Sequence, residues 1–149
     1  MVTEKEVKIF IDGLKNYFET VSDSQAAIGT PYLVEPYKAP VGDLMGVISV
    51  TGARRGKVYF SAARAMLRHI LLSLGEKQVD AELIEDIVGE VANTISGNVR
   101  AFFGSQFVIS IPSIREGCPS DIDYPRSVNA FAIPVRWKSY TAYLVVCLD

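Results

Sequence analysis

The sequence predicts an α+β domain in which long helices pack on one face of an antiparallel sheet. Two long segments, residues 3–22 and about 80–104, carry apolar residues at helical spacing. Six shorter segments are rich in β-branched and aromatic residues, as strands are. The predicted order is helix, three strands, two helices, three strands. The compact arrangement of that order is a sheet with its helices on one face.

The first half of the chain is predicted to form one helix and three strands. The amphipathic helix over 3–22 is followed by strands around 32–37, 45–51 and 57–62. The last two strands are joined by "GARRG", a turn with glycine at both ends that is typical of a hairpin.

Two helices follow. Ser61 is the expected N-cap of "AARAMLRHILLSLG", which ends at Gly75, and its apolar residues predict burial on two faces. Asp80 is the expected N-cap of the long helix, which runs to about residue 104.

The last three strands are predicted in "QFVISI", "SVNAFAIPVRW" and "SYTAYLVVCL". Pro134 lacks an N–H for the sheet, so we expect an edge or a bulge there. The two halves have similar element order, which predicts an internal pseudo-two-fold repeat without clear repetition of residues. No linker interrupts the chain, so residues 1–149 are predicted to form one domain.

Composition narrows the class of protein. The 149 residues are 49% hydrophobic and the net charge is -2, without a basic stripe that would predict a nucleic-acid partner. The longest apolar run, Ala142–Leu148, is too short to span a membrane, and the charged first residues are not a secretory signal. We therefore expect a cytoplasmic protein, in which Cys118 and Cys147 are packing residues.

Polar residues form a row along the long helix. At about 100° per residue, the row lies opposite the apolar face, and it consists of Asp86, Glu90, Asn93, Gly97 and Arg100. A solvated helix face is the simple interpretation. Gly97, however, costs about 1 kcal/mol relative to alanine on an exposed helix face, and Gly89 flanks the same row. The glycines favour close approach by another molecule, so we interpret this polar row as a docking surface.

The same residues carry a family resemblance. "DIVGEVANTISGN", followed by "IPSIREG", resembles the CheC/CheX/FliY group of chemotaxis phosphatases. The pattern there is Asp or Ser, three residues, Glu, two residues and Asn, with a proline downstream. Asp86, Glu90 and Asn93 match this pattern, and Pro112 follows. The chain contains one such pair, as in the single-motif CheX branch.

The resemblance implies a substrate and roles for these residues. The substrate would be the phosphorylated aspartate of a response-regulator receiver domain, which brings its own Mg²⁺. Asn93 would orient the attacking water, much as a glutamine does in GTPases, and Glu90 would pair with a receiver lysine. The residues that would contact the receiver are Asp86, Gly89, Gly97 and Arg100. The resemblance implies no cofactor or metal of the protein's own.

The resemblance also implies a homodimer formed through a sheet edge, and the final strand is expected to be exposed. A second interpretation is a non-catalytic module that binds a receiver or dimerises within a signalling complex. A structural subunit of the flagellar-switch kind is a weaker third.

Other candidates are less specific. "GARRGK" is similar to a P-loop, but it is one residue short and a strand follows it. Arg54 and Arg55 are therefore expected to form a solvated turn. His69 is the only histidine, and we expect a structural role for it rather than a metal site.

Overall fold

Three helices pack on an antiparallel sheet in the computed structural model, which describes residues 2–21, 26–125 and 128–149. The helices are α1 (Glu4–Val21), α2 (Arg64–Ser73) and α3 (Ala81–Phe103). The boundaries predicted for α1 and α3 agree to within a few residues. Residue 22, the predicted end of the first helix, and residue 127, the predicted start of a late strand, lie outside the described part of the chain.

The described residues contain eight strands, two more than the sequence predicts. In chain order they are β1 (Ala27–Ile28), β2 (Tyr32–Val34), β3 (Leu44–Gly52), β4 (Gly56–Ala62), β5 (Phe107–Ile109), β6 (Ser113–Glu116), β7 (Ala130–Trp137) and β8 (Tyr140–Leu148). β1 was missed because it has only two residues, and β6 because its residues are all exposed and show no apolar alternation. The predicted fold class, an antiparallel sheet with helices packed on one face, is confirmed.

The long strands form the centre of the sheet. The order is β7-β8-β4-β3, with β1 and β2 pairing along β7 and with β5 and β6 pairing along β3. The expectation of an exposed final strand is therefore wrong, because β8 lies between β7 and β4 and its residues 144–148 are buried. At each end of the sheet, two short strands pair along one long strand, as an internal repeat would require. The two-fold relation itself stays a prediction.

Pro134 does not lie on an edge strand, so the edge position, one of the two alternatives predicted for it, is wrong. β7 has partners on both sides, and the chain that pairs with it is interrupted at Gly29, between β1 and β2. The Gly29 amide donates to the Pro134 carbonyl over 2.8 Å. A Cβ on Gly29 would lie 2.9 Å from the proline Cγ. Because the chain opposite Pro134 is interrupted there and has a glycine at the closest position, the proline ring fits.

The start of α2 differs from the prediction. Ser61 belongs to β4, where its buried hydroxyl donates to the Leu44 carbonyl over 2.9 Å and accepts from the Gly42 amide. Asp43 takes the expected capping role, because its Oδ2 accepts from the Arg64 amide over 3.0 Å. Asp43 precedes the hairpin and is far away in sequence, so a local sequence pattern does not identify it.

α2 is buried on one face rather than on two. Its buried residues are Met66, Leu67, Ile70 and Leu71, and Leu72 is exposed. The helix ends as predicted at Gly75, which has a φ of 94°.

Two apolar layers lie on the two faces of the sheet. The larger layer lies between the sheet and the helices and includes Phe10, Phe60 and Trp137. The smaller layer covers the other face and includes Tyr59, Tyr124 and Cys147. Cys147 is a packing residue as predicted. Cys118 is exposed, so the same prediction is wrong for it.

Candidate functional site

The polar row of α3 lies on the surface. Asp80 begins the helix by accepting from the Leu83 amide over 2.9 Å, as predicted. The opposite side is buried against the sheet and contains Ile87, Val88, Val91, Ala92, Ile95 and Val99. All five residues of the row are exposed: Asp86, Glu90, Asn93, Gly97 and Arg100. Helical spacing therefore places the row correctly, while the roles of its residues stay predictions.

Phe102 is an exception to the apolar face. Its spacing predicts burial, yet its side chain is 69% exposed. The last turn of α3 packs on the sheet through the neighbouring Phe103, whose ring stacks on that of Phe107 with centroids 4.6 Å apart.

Glu90 and Asn93 are free to contact a partner. They lie one helical turn apart, and neither side chain makes a hydrogen bond or an ion pair within the described part of the chain. A carboxylate and a carboxamide therefore extend from the same exposed face. The pair offers negative charge at one position and both an acceptor and a donor at the next.

Gly89 has a different environment from the one predicted. It is buried, and a Cβ there would lie 2.6 Å from Ile114 Cδ1 and 3.3 Å from the ring of Pro112. The missing side chain is required by packing within the chain, so the explanation that a partner needs this space is wrong. Gly89 is a contact between α3 and the segment leading into β6, not an exposed docking position.

The sheet also approaches α3 closely from below. A Cβ on Gly46 of β3 would lie 2.4 Å from the Val88 carbonyl oxygen and 3.0 Å from the Gly89 Cα. Both contacts are with backbone atoms, which cannot rotate away. Gly46 thus sets the distance between the helix and the sheet beneath the polar row.

Gly97 fits the sequence interpretation. It is exposed, and a Cβ there would have no neighbour within 4 Å among the described residues. Packing within the chain does not explain this glycine.

α1 flanks the polar row on the side away from β6. Gly13 packs on α3, since a Cβ there would lie 3.4 Å from the Ile95 side chain and 3.5 Å from that of Val99. Tyr17 lies further along α1 and is 7% exposed. Burial and, to a lesser degree, the charge of Glu90 raise the pKa of Tyr17 far above its ordinary value. Sequence reasoning missed Tyr17, because helical spacing alone assigns it to the core.

Arg54 corrects the expectation of a solvated turn. Its guanidinium forms an ion pair with Glu6 of α1 and donates to the Asp149 carbonyl over 3.1 Å. Burial raises the pKa of Glu6, but the hydrogen bonds and charge from Arg54 and Thr3 outweigh it and lower the pKa below its usual value. Arg55 is exposed, as expected.

His69 packs among aromatic residues, in agreement with a structural role. Its ring lies 5.1 Å from that of Trp137, and its Nδ1 is 3.4 Å from the Tyr140 hydroxyl. Across residues 2–21, 26–125 and 128–149, no three His, Cys, Asp or Glu side chains are grouped so that they could hold a metal ion. No helix in those ranges is both long and apolar enough to cross a membrane.

The sheet order and the helices on one face define a CheC-like α+β domain. A family model described as chemotaxis phosphatase CheX matches residues 44–136, which is more than half of the chain. The chain therefore belongs to the chemotaxis phosphatase CheX family. No curated protein matches the chain significantly.

Solved structures agree with this assignment. A proposed chemotaxis protein from Desulfovibrio vulgaris Hildenborough is 26% identical, with a TM-score of 0.83 and coverage of 100% of both chains. A chemotaxis protein CheX from Desulfovibrio desulfuricans is 25% identical, with a TM-score of 0.83, and the match covers 97% of this chain and 99% of that chain.

A more distant structure shares the fold. It is the CheX–CheY–BeF3–Mg²⁺ complex from Borrelia burgdorferi, which is 16% identical with a TM-score of 0.77. The match covers 96% of this chain and 97% of that chain.

Proposed function

We propose that the protein hydrolyses the aspartyl phosphate of a CheY-like receiver domain, using Asn93 and Glu90 on the exposed face of α3. The observation that carries the proposal is the freedom of these two side chains, one turn apart, on a helix that is otherwise held by the core. Membership of the chemotaxis phosphatase family supports the reaction. The CheX–CheY complex from Borrelia burgdorferi supports the class of partner.

Asn93 orients the water in this proposal. An aspartyl phosphate is already activated, so the protein has to place a water in line with the phosphorus atom. The amide oxygen of Asn93 accepts a hydrogen bond from that water, and its NH₂ donates to a phosphoryl oxygen. The water forms a bond to phosphorus while the bond from phosphorus to the aspartyl oxygen breaks. The carboxylate leaves with the electron pair, and both hydrogens of the water remain on the inorganic phosphate.

Glu90 anchors the partner rather than acting on the phosphate. A carboxylate beside a phosphoryl group is repelled unless a cation lies between them. We propose that a receiver lysine supplies this cation and pairs with Glu90. The Mg²⁺ is held by the receiver, and this chain contributes no metal or cofactor.

The rest of the row forms the docking surface. Asp86 precedes Glu90 by one turn and adds negative charge at the end where the receiver presents its lysine. Gly97 lets the receiver approach the helix closely, and Arg100 provides positive charge beyond it. Gly89 contributes indirectly, by seating Pro112 and Ile114 beside the row.

The test measures phosphate release from a CheY-like receiver that has been phosphorylated with acetyl phosphate in Mg²⁺. Wild type, Asn93→Ala and Glu90→Ala are each added at a small fraction of the receiver concentration, with Asn98→Ala as the control on the same helix. We expect Asn93→Ala to lose about 2.7–4 kcal/mol of transition-state stabilisation, and Asn98→Ala to match wild type.

Two outcomes contradict the proposal in different ways. Equal rates for wild type and Asn93→Ala would remove the role of Asn93. A receiver lifetime that changes only at stoichiometric amounts of the protein would indicate a binding module instead of an enzyme.

A homodimer and a cytoplasmic location stay separate predictions. Since β8 is central, a dimer built through sheet edges has to use the free side of β5 and β6 or of β1 and β2. A monomer in analytical ultracentrifugation at micromolar concentration would contradict the predicted homodimer.

A further inference from the structure

α1 and α3 run antiparallel, and their register places Tyr17 beside the functional turn. The rings of Phe10 and Phe103 lie 6.3 Å apart at one end of the helix pair. Gly13 then contacts Ile95 and Val99. One further turn along α1 reaches Tyr17, and one turn back along α3 reaches the turn that contains Glu90 and Asn93.

The Tyr17 side chain combines a fixed ring with a polar tip. The ring packs edge-on against Phe18, with centroids 5.3 Å apart, so its position is set by the core. Burial and, to a lesser degree, the charge of Glu90 raise the pKa of its phenol, which is protonated at neutral pH even at the ordinary value. A protonated phenol donates one hydrogen bond, and a carboxylate only accepts. The two groups are therefore chemically matched.

We propose that Tyr17 is a positioning residue whose hydroxyl donates a hydrogen bond to the Glu90 carboxylate and holds it toward the docked receiver. This inference rests on the proposed function of Glu90. Glu90 is exposed and has many rotamers, and fixing one of them costs free energy when a partner binds. A donor on a rigid ring lowers that cost. In the structure the bond is not made, and a change of the Glu90 rotamer forms it in the free protein, before the receiver docks.

The first test is a double-mutant cycle on phosphate release from the acetyl-phosphate-treated receiver. Tyr17→Phe removes the hydroxyl and keeps the ring. We expect it to raise KM about two- to tenfold, the range of one ordinary hydrogen bond, with kcat nearly unchanged because Asn93 is untouched. In a Glu90→Ala background, Tyr17→Phe should have no further effect. Tyr37→Phe, an exposed tyrosine on the other face of the sheet, is the matched control.

An equal rise in KM in both backgrounds would overturn the inference, since the hydroxyl would then act without Glu90. An unchanged KM for Tyr17→Phe in the wild-type background would also overturn it.

The second test needs no receiver and separates this inference from the proposed function. In ¹³C-tyrosine-labelled protein, Glu90→Gln should shift the Tyr17 Cζ resonance and leave that of Tyr37 in place. An unmoved Tyr17 resonance would overturn the inference whatever the activity. Conversely, a shifted resonance together with equal phosphate release by wild type and Asn93→Ala would contradict only the proposed function.

Discussion

Gly89 and Gly97 lie on the same helix in opposite surroundings. Gly89 is buried beneath Ile114 and Pro112, whereas Gly97 faces open space. Both glycines weaken the helix by a similar amount. At Gly89 the chain itself uses the missing side chain to seat the segment that leads into β6. At Gly97 nothing in the described part of the chain uses it, and we propose that a docked receiver does.

The comparison divides α3 into a structural flank and the polar row for which we propose a function. The structural flank comprises Gly89 and the residues that approach it, and changes there should alter stability. The polar row contacts little within the chain, so changes there should alter docking or chemistry and leave stability nearly unchanged. Substitutions on each side of this division should therefore have separable effects.

The largest expected effect is on catalysis by Asn93→Asp. The new carboxylate has the size of the amide but repels the phosphoryl group and cannot donate to it. We expect phosphate release to fall about a hundredfold to a thousandfold, with an unchanged melting temperature. An Asn93→Asp variant as active as wild type would mean that the residue acts as a general base, contrary to the proposed role.

Gly46→Ala should produce the largest loss of stability. Its Cβ would meet the backbone of Val88 and Gly89, so the helix or the strand has to move. We expect a loss of about 1–3 kcal/mol in the free energy of unfolding. Denaturant unfolding followed by the fluorescence of Trp137, the only tryptophan, measures it. Unchanged stability would show that the close approach does not constrain the fold.

Gly97→Ala should raise the free energy of unfolding, whereas Gly46→Ala lowers it. The methyl group meets no neighbour among the described residues, so the helix gains about 1 kcal/mol in the same unfolding measurement. Binding to a receiver loaded with Mg²⁺ and beryllofluoride should nevertheless weaken. Asn98→Ala, which lies off the polar row, is the control that should leave binding intact. Stronger or equal binding by Gly97→Ala would remove the functional reason for this glycine.

The smallest effect concerns the ion pair between Glu6 and Arg54, neither of which belongs to the polar row. Because the folded-state pKa of Glu6 is lowered, the pair stabilises the fold above the unfolded pKa, about 4.3, and this stability is lost as pH falls through the folded value. We expect Glu6→Gln to cost about 0.5 kcal/mol at pH 7. The difference from wild type should vanish in thermal unfolding at acid pH, while phosphate release stays normal. A loss of stability in Glu6→Gln that persists at acid pH would show that the stabilisation does not come from the ionised Glu6 carboxylate.

Features that depend on local spacing were predictable from the sequence. The boundaries of α1 and α3, the Asp80 cap and the exposure of the polar row follow from helical periodicity and capping chemistry. The hairpin between β3 and β4 follows from its two glycines. The short motif around Asn93 also led to the correct family.

Features that depend on distant partners were not predictable. Nothing in the sequence around Gly89 shows that Ile114 covers it, or that β8 lies in the middle of the sheet. Arg54 and Glu6 are separated by 48 positions, and no local pattern joins them. Tyr17 has the spacing of a core residue, and only the packing of α1 on α3 places it beside the turn that contains Glu90.

The most direct test is whether the Asn93 side chain reaches the metal site of a docked receiver. A receiver is loaded with beryllofluoride and with paramagnetic Mn²⁺ in place of Mg²⁺, and the side-chain amide resonances of ¹⁵N-labelled protein are recorded. We predict strong broadening of the Asn93 amide and none for Asn129, an exposed asparagine before β7. An Asn93 resonance that stays sharp in the saturated complex would contradict the account.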